Sequence, residues 1–247
     1  MRVLITGANR GLGLCLTDLC LEHGHEVWAC CRQGSHDEAL KTLEEKAQGR
    51  LHILPMDVTS EDSVRQARDE YISCQTGKAE ETPYLDCVIN NAGVLLETKY
   101  DLSDPIVNLD IPMLRRTLEV NTVGPAIVLK YFMPLVYTSA APCILNITSE
   151  AGHLKTGLYT YLAYGVSKHG ANMYTQKIRN YLAMSDEHQN VRIFMIHPGR
   201  MNTEMGKENA QIEPEEAAAG IIDIMEGKTD PKMDIPFINY RGEPMPY

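Results

Sequence analysis

Tyr164 and Lys168 stand four positions apart in "YLAYGVSKHG", residues 161–170, and on a helix that spacing puts both side chains on one face. Tyr159 and Tyr161 lie just upstream but would face Ala163 and Gly165. A free phenol ionises near pKa ~10, too high to exchange protons readily at neutral pH. An ammonium at about 4 Å is worth ~4 kcal/mol at an effective dielectric of ~20. At most, that draws the phenol down by ~3 units, toward the range of an acid–base catalyst, and solvent reduces the figure. Tyr and Lys at this spacing are also common on amphipathic helices, so the pair alone decides nothing.

A second set of residues suits a phosphate. "TGANRGLG" places Gly7, Gly11 and Gly13 between an apolar run and a helical pattern. Glycine there permits a tight turn, close approach of backbone to a pyrophosphate, and close packing of helix on strand. The helix start then offers unpaired N–H groups and the positive end of its dipole. The G-x-x-x-G-x-G spacing differs from the G-x-G-x-x-G of many dehydrogenases. At the end of the second apolar run, "ACCR" carries no carboxylate to bond ribose hydroxyls. Arg32 instead offers a guanidinium fork for a 2′-phosphate, with Arg10 able to approach from the turn. The pair favours NADP(H) over NAD, although either arginine alone could be a solvated surface charge.

The elements that must position these groups alternate along the chain. "RVLIT", "EVWACC", "LHILPMDV", "YLDCVINNAG", "CILNIT", "VRIFMIHPG" and "PFINY" read as strands, the last at an edge. Helical patterns separate them: "LGLCLTDLCLEHG", "SHDEALKTLEEKAQG" with Ser35 or Asp37 near its cap, and a helix begun by Ser60. A long helical region from about Pro112 to Ala140 follows, with Pro125 and Pro134 as kink points. Another helix runs from about Tyr164 to Ser185, and one starts with Pro214 at its first position. Continuous apolar strands alternating with helices predict an α/β fold: a single Rossmann-type, doubly wound parallel sheet of about seven strands with helices on both faces. No repeat or linker divides residues 1–247, which read as one domain. Gly7, Asp57, Asn91, Ser149 and Pro198 each follow a strand, where ligands of such sheets bind.

Bulk properties exclude other classes. The 247 residues are 44% hydrophobic and 23% charged, ordinary for a soluble globular protein. A formal net charge of −10 argues against nucleic acid or an anionic membrane as partner. The N-terminus enters the glycine motif at once, which leaves no signal peptide, and "AIVLKYFMPLVY" is too short to span a bilayer. Seven scattered cysteines without C-x-x-C spacing suit a reducing, cytoplasmic compartment, and no His/Cys cluster has metal-ligand spacing.

Taken in order, "TGANRGLG", "DV" at 57–58, "NNAG" at 90–93, Asn121 in "EVNTVGP", Ser149 after "ILNIT", "YGVSK" and "HPGRMNTEMG" resemble the short-chain dehydrogenase/reductase family in its single-domain branch. The resemblance covers nearly the whole chain. The ending "FINYRGEPMPY" looks most like the branch of sniffer-type carbonyl reductases and C-factor signalling proteins. By position the resemblance implies Tyr164 as general acid or base, and Lys168 as holder of the nicotinamide ribose and modulator of the phenol. Ser149 would donate to the substrate oxygen, and Asn121 would interrupt its helix and hold a water linking Lys168 to solvent. Ser149 precedes Tyr164 by fifteen residues, longer than usual for the family, which bears on the shape of the substrate wall. For the cofactor it implies the turn residues Gly7, Asn9, Arg10, Gly11, Leu12 and Gly13, then Arg32, with Asp57 and Val58 at the adenine. Asn91, Ala92 and Gly93 would line the adenosine side, while Pro198, Gly199, Met201 and Thr203 form the nicotinamide loop; Met201 replaces the usual small aliphatic. Asn90 is read as a sheet support and His197 as a packing residue.

The implied activity is NADPH-dependent reduction of an aldehyde or ketone by a homodimer or homotetramer. In that assembly the helices around Asn121 and Tyr164 would pack against their counterparts. A C-factor-type sensor of NADP occupancy is the alternative, and an isomerase or dehydratase using the same site is a further one. Val94, Leu95, Glu150, His153, Leu154, Tyr159 and 202–211 are the expected substrate wall, too mixed to name a substrate.

Overall fold

A computed structural model describes residues 1–32, 38–76, 82–97, 104–155, 160–206 and 210–247. Seven strands form one sheet: β1 (Arg2–Thr6), β2 (Glu26–Cys31), β3 (Leu51–Pro55), β4 (Cys87–Asn90), β5 (Cys143–Ile147), β6 (Arg192–His197) and β7 (Phe237–Asn239). Their order is β3-β2-β1-β4-β5-β6-β7, and every pairing is parallel. Alternate residues feed opposite faces: Val3 and Ile5 join the core beneath α1 (Gly11–Glu22), α2 (Glu38–Lys46) and α7 (Pro214–Met225). Leu4 joins the opposite core, beneath α3 (Glu61–Thr76), α5 (Gly124–Tyr137) and α6 (Leu162–Met184). Burial on both faces explains why the strands read as unbroken apolar runs. The order reverses between β1 and β4, so a crevice opens beyond their carboxyl ends, at Gly7 and Asn91.

Local chemistry sets the helix starts. Ser60 Oγ accepts the Ser63 N–H at 3.2 Å, and the Asp110 carboxylate accepts that of Met113 at 3.0 Å, the latter capping α4 (Ile111–Leu118). Ser35 and Asp37, the expected caps of α2, lie outside the described residues. Pro214 opens α7 as expected. The region from 111 to 137 departs from the proline-kink expectation. A π-helical segment, Glu119–Val123, separates α4 from α5, while Pro134 sits inside α5. Such an insertion unwinds the ladder locally and often marks a functional position. Asn121 is at its middle.

A buried polar chain crosses the sheet centre. The Asn90 amide donates to Asn146 Oδ1 at 2.8 Å, and the Asn146 amide donates to Thr175 Oγ1 at 2.8 Å. Asn90 thus ties β4 to β5 and, through Thr175, to α6.

Candidate active site

The glycine turn leaves β1 at Gly7, whose φ of +65° favours glycine. A Cβ there would sit 3.0 Å from Ala92 Cα, and one on Gly13 would lie 2.1 Å from the Gly7 carbonyl oxygen. The Asn91 amide donates to the carbonyls of Thr6 (2.9 Å) and Gly7 (3.1 Å), while Thr6 Oγ1 accepts the N–H groups of Asn91 and Ala92. Asn91 therefore braces the turn with its side chain. Helix α1 follows with no side-chain cap at Arg10 and no acidic residue in its first turn. That combination suits an anion. Arg10 departs from expectation, because its guanidinium pairs with Glu204, beyond β6. The pair bridges the glycine turn and the segment after β6, the expected nicotinamide loop, and Thr203 lies close enough that a Cβ on Gly11 would be 3.6 Å from its methyl.

At the ends of β2 and β3, Arg32 is exposed and lies within electrostatic reach of Asp57. Burial pushes the Asp57 carboxyl up. Hydrogen bonds from the Thr59 N–H and hydroxyl, with the charges of Arg116 and Arg32, outweigh it and hold the group below its usual value. Arg32 and Asp57, expected at the 2′-phosphate and the adenine, are thus brought together. Val58 lies beneath the π-helical region, where a Cβ on Gly124 would meet its methyl at 2.9 Å.

The proposed proton-transfer groups converge on the same crevice. Lys168, only 5% exposed, donates through Nζ to the Ile147 carbonyl at 2.9 Å and lies 5.5 Å from the centroid of the Tyr164 ring. A Cβ on Gly93 would be 3.6 Å from that ammonium and 3.4 Å from Asn121 Oδ1. The Asn121 side chain accepts the Val94 N–H at 2.8 Å and donates to the Val94 carbonyl and Ser167 Oγ, each at 2.9 Å. The π insertion turns this amide toward the chain after β4.

Ser149 follows β5 and shares a hydrogen bond with the Tyr164 phenol; its Oγ also accepts the Ala151 N–H at 3.1 Å. The phenol departs from the expectation that Lys168 draws it down. Burial pushes it up to about 12; the Ser149 bond opposes this, while the Glu150 charge adds to it. Burial likewise lowers the Lys168 ammonium to about 8. Dehydration outweighs the attraction because Nζ turns to the strand carbonyl. At neutral pH the site therefore holds a protonated phenol and a charged, poorly solvated lysine.

Two features escaped the sequence reading. Glu97 spans the amino end of α6: its carboxylate accepts the N–H groups of Ala163 (2.8 Å) and Tyr164 (2.9 Å). Tyr161, at the cap position, has φ +58° and makes no side-chain cap, so Glu97 supplies one from another segment. Glu97→Ala is expected to cost about 1–2 kcal/mol of stability. It should also lower kcat roughly tenfold, with dinucleotide affinity unchanged, as the start of the helix carrying Tyr164 loosens. Thermal melts and steady-state kinetics check this, and unchanged kcat would remove the positioning role.

The other feature is a cleft of about 480 Å³ beyond Ser149, lined by Glu150, His197, Arg200, Gln211, Tyr240 and Arg241 among others. Arg200 Nε donates to the Glu150 carboxylate at 2.6 Å, and the Glu150 N–H donates to His197 Nδ1 at 3.2 Å. His197 therefore orders the segment after Ser149 rather than merely packing. Gly199 (φ +86°) carries the chain past Ile212 at the cleft wall, where a Cβ would approach within 2.6 Å. Of the expected wall, Glu150 and Gln211 line this cleft, Leu154 is exposed, and Tyr159 and 207–209 lie outside the described residues.

Comparison with known proteins gives a consistent result. The family model described as short chain dehydrogenase matches residues 1–214. The chain is 30% identical over 235 residues to the 1-hydroxy-2-glutathionyl-2-methyl-3-butene dehydrogenase of Rhodococcus sp. (strain AD45), covering 92% of this chain and 91% of that protein. Among solved structures it resembles the NADPH-bound carbonyl reductase from chicken fatty liver, with TM-score 0.82, 25% identity, and 100% and 98% of the two chains covered. It shares its fold with the carbonyl reductase Sniffer of D. melanogaster, with TM-score 0.84, 24% identity, and 100% and 99% covered.

Proposed function

The chain belongs to the short-chain dehydrogenase family, and from that premise we propose that it is an NADPH-dependent oxidoreductase that reduces an aldehyde or ketone, with Tyr164 as general acid. The observation that carries this reading is the meeting of Ser149, Tyr164 and Lys168 beside Gly93, at the switch point of the sheet. The residues present fit a dinucleotide: an uncapped α1 start behind three glycines, and a β2 end with Arg32 in place of a carboxylate. The NADPH named for the chicken carbonyl reductase supports the same cofactor. Gly7, Asn9, Gly11, Leu12 and Gly13 would hold the pyrophosphate, and Arg32 the 2′-phosphate. Asp57, Val58, Ala92 and Gly93 would flank the adenosine, and Pro198, Gly199, Met201 and Thr203 the nicotinamide.

When bound, the dihydronicotinamide supplies the hydride that reduces the carbonyl carbon. Ser149 and Tyr164 hold the carbonyl oxygen, where negative charge grows. Tyr164 gives its hydroxyl proton to that oxygen, and the Lys168 charge stabilises the phenolate left behind. Asn121 fixes Val94 and Ser167 around the amine. We read residues 1–247 as one cytoplasmic domain; its seven cysteines are free, and no helix among the described residues is long and apolar enough to cross a membrane. Exposed Val123, Val166, Met173 and Tyr181 support a homodimer or homotetramer through the helices around Asn121 and Tyr164, and a monomer in sedimentation would refute it.

The test is NADPH oxidation over a panel of aldehydes, ketones and quinones, repeated with NADH. Turnover with NADPH and a preference of at least tenfold over NADH are expected. A preference for NADH would overturn the role of Arg32, and no turnover with any carbonyl would overturn the activity.

A further inference from the structure

At the opposite end of the sheet from the crevice, His23, His25 and Glu226 converge, with one possible ligand atom from each within 4.8 Å of the others. His23 Nδ1 lies 3.0 Å from Glu226 Oε1, and His25 Nε2 lies 2.9 Å from the same oxygen. The backbone makes this meeting. His23 ends α1, Gly24 reverses the chain at φ +81°, and His25 leads into β2, so both imidazoles emerge on one side. Helix α7 packs alongside α1 and delivers Glu226 at its own carboxyl end.

The geometry points to a divalent transition-metal site, zinc by preference, built from His23 Nδ1, His25 Nε2 and a Glu226 carboxylate oxygen. Two imidazoles and one carboxylate are a common zinc donor set, and a fourth tetrahedral position is left for water. Tetrahedral zinc with bonds of ~2.0–2.1 Å needs ligand atoms ~3.3–3.4 Å apart. The two imidazole–carboxylate separations fall short by about 0.4 Å, which small side-chain rotations at this partly exposed edge supply. Lys228 Nζ lies 2.6 Å from Glu226 Oε2 and 3.2 Å from Asp223, so it holds the carboxylate from behind and leaves Oε1 toward the imidazoles. The chain's first amino group is 3.3 Å from His25 Nδ1, the ring nitrogen that would not bind metal. Binding would displace any proton on the two ligating nitrogens and join α1, β2 and α7 at one point. No His/Cys cluster in the sequence has metal-ligand spacing, the ground for expecting no metal, and Glu226 stands 201 positions from His25.

The test uses the full chain, stripped of metal with chelator, and zinc or cobalt chloride. One zinc per chain is expected by calorimetry, with a rise in Tm of about 5–10 °C at a hundredfold excess over Kd. Cobalt should give visible d–d bands without thiolate charge transfer, which separates this site from the free cysteines. His23→Ala, at the more exposed ligand, and Glu226→Gln should each weaken binding at least tenfold while leaving metal-free NADPH oxidation unchanged. Absence of saturable binding at millimolar zinc, a thiolate band, or unchanged affinity in both variants would overturn the site.

Discussion

Tyr164→Phe is expected to reduce carbonyl turnover by about 10³-fold, with NADPH affinity within about threefold of the parent. The substitution removes one hydroxyl, hydrogen-bonded to Ser149, from a ring whose centroid lies 5.5 Å from Lys168 Nζ, and leaves the glycine turn and Arg32 untouched. The effect belongs to kcat because the phenol contributes a proton only as charge develops on the substrate oxygen. Burial pushes this phenol up to about 12, so it holds its proton throughout the physiological range, and the Lys168 charge has to favour the phenolate as that proton leaves. The check is single-turnover NADPH oxidation beside a fluorescence titration of NADPH. Turnover within tenfold of the parent would show that another group supplies the proton. Retention of a biological effect after turnover is lost would favour the sensor role over the enzymatic one.

Lys168→Met is expected to reduce turnover by at least about 10²-fold and yet stabilise the folded chain. The ammonium is almost fully buried, and burial lowers it from 10.5 to about 8. In the folded state this lysine gives up its proton more readily than in the unfolded one. Below pH 8 both states carry the charge, and the folded state bears the full dehydration cost, roughly 3 kcal/mol. Between pH 8 and 10.5 the unfolded chain binds more protons, so that cost is relieved as pH rises. Methionine removes the cost but leaves the Ile147 carbonyl without its donor, which takes back about 1 kcal/mol. A net gain of about 1–2 kcal/mol at pH 7, or a few degrees in Tm, should disappear by pH 10. A variant less stable than the parent at pH 7 would contradict the burial argument.

Much of the fold was legible because two-sided burial writes continuous apolar strands, and glycine spacing marks a turn independently of what surrounds it. Asn90 could be assigned to the sheet for a similar reason: a polar residue at the end of a buried strand needs a buried partner, and Asn146 lies on the paired strand. The interruption at Asn121 was legible only through the family resemblance, since Pro125 and Pro134 are the visible breakers and neither causes it. Glu97 carries no local signature, because it caps a helix that starts 65 positions later. The phenol's direction of shift failed for a physical reason. Spacing of i,i+4 specifies a shared helix face but says nothing about how dry that face is or which acceptor the amine chooses. Arg10 likewise found Glu204, a partner from the far side of the cleft that its own turn does not reveal.

The most direct test of proton donation by a buried phenol beside a charged amine is the pH dependence of kcat/KM for carbonyl reduction between pH 6 and 10. Tyr164 stays protonated across this range, whereas Lys168 loses its charge around pH 8. The rate should therefore be level up to about pH 7.5 and fall above pH 8. A rate that climbs through pH 8–10, or an identical profile in Tyr164→Phe, would contradict the account.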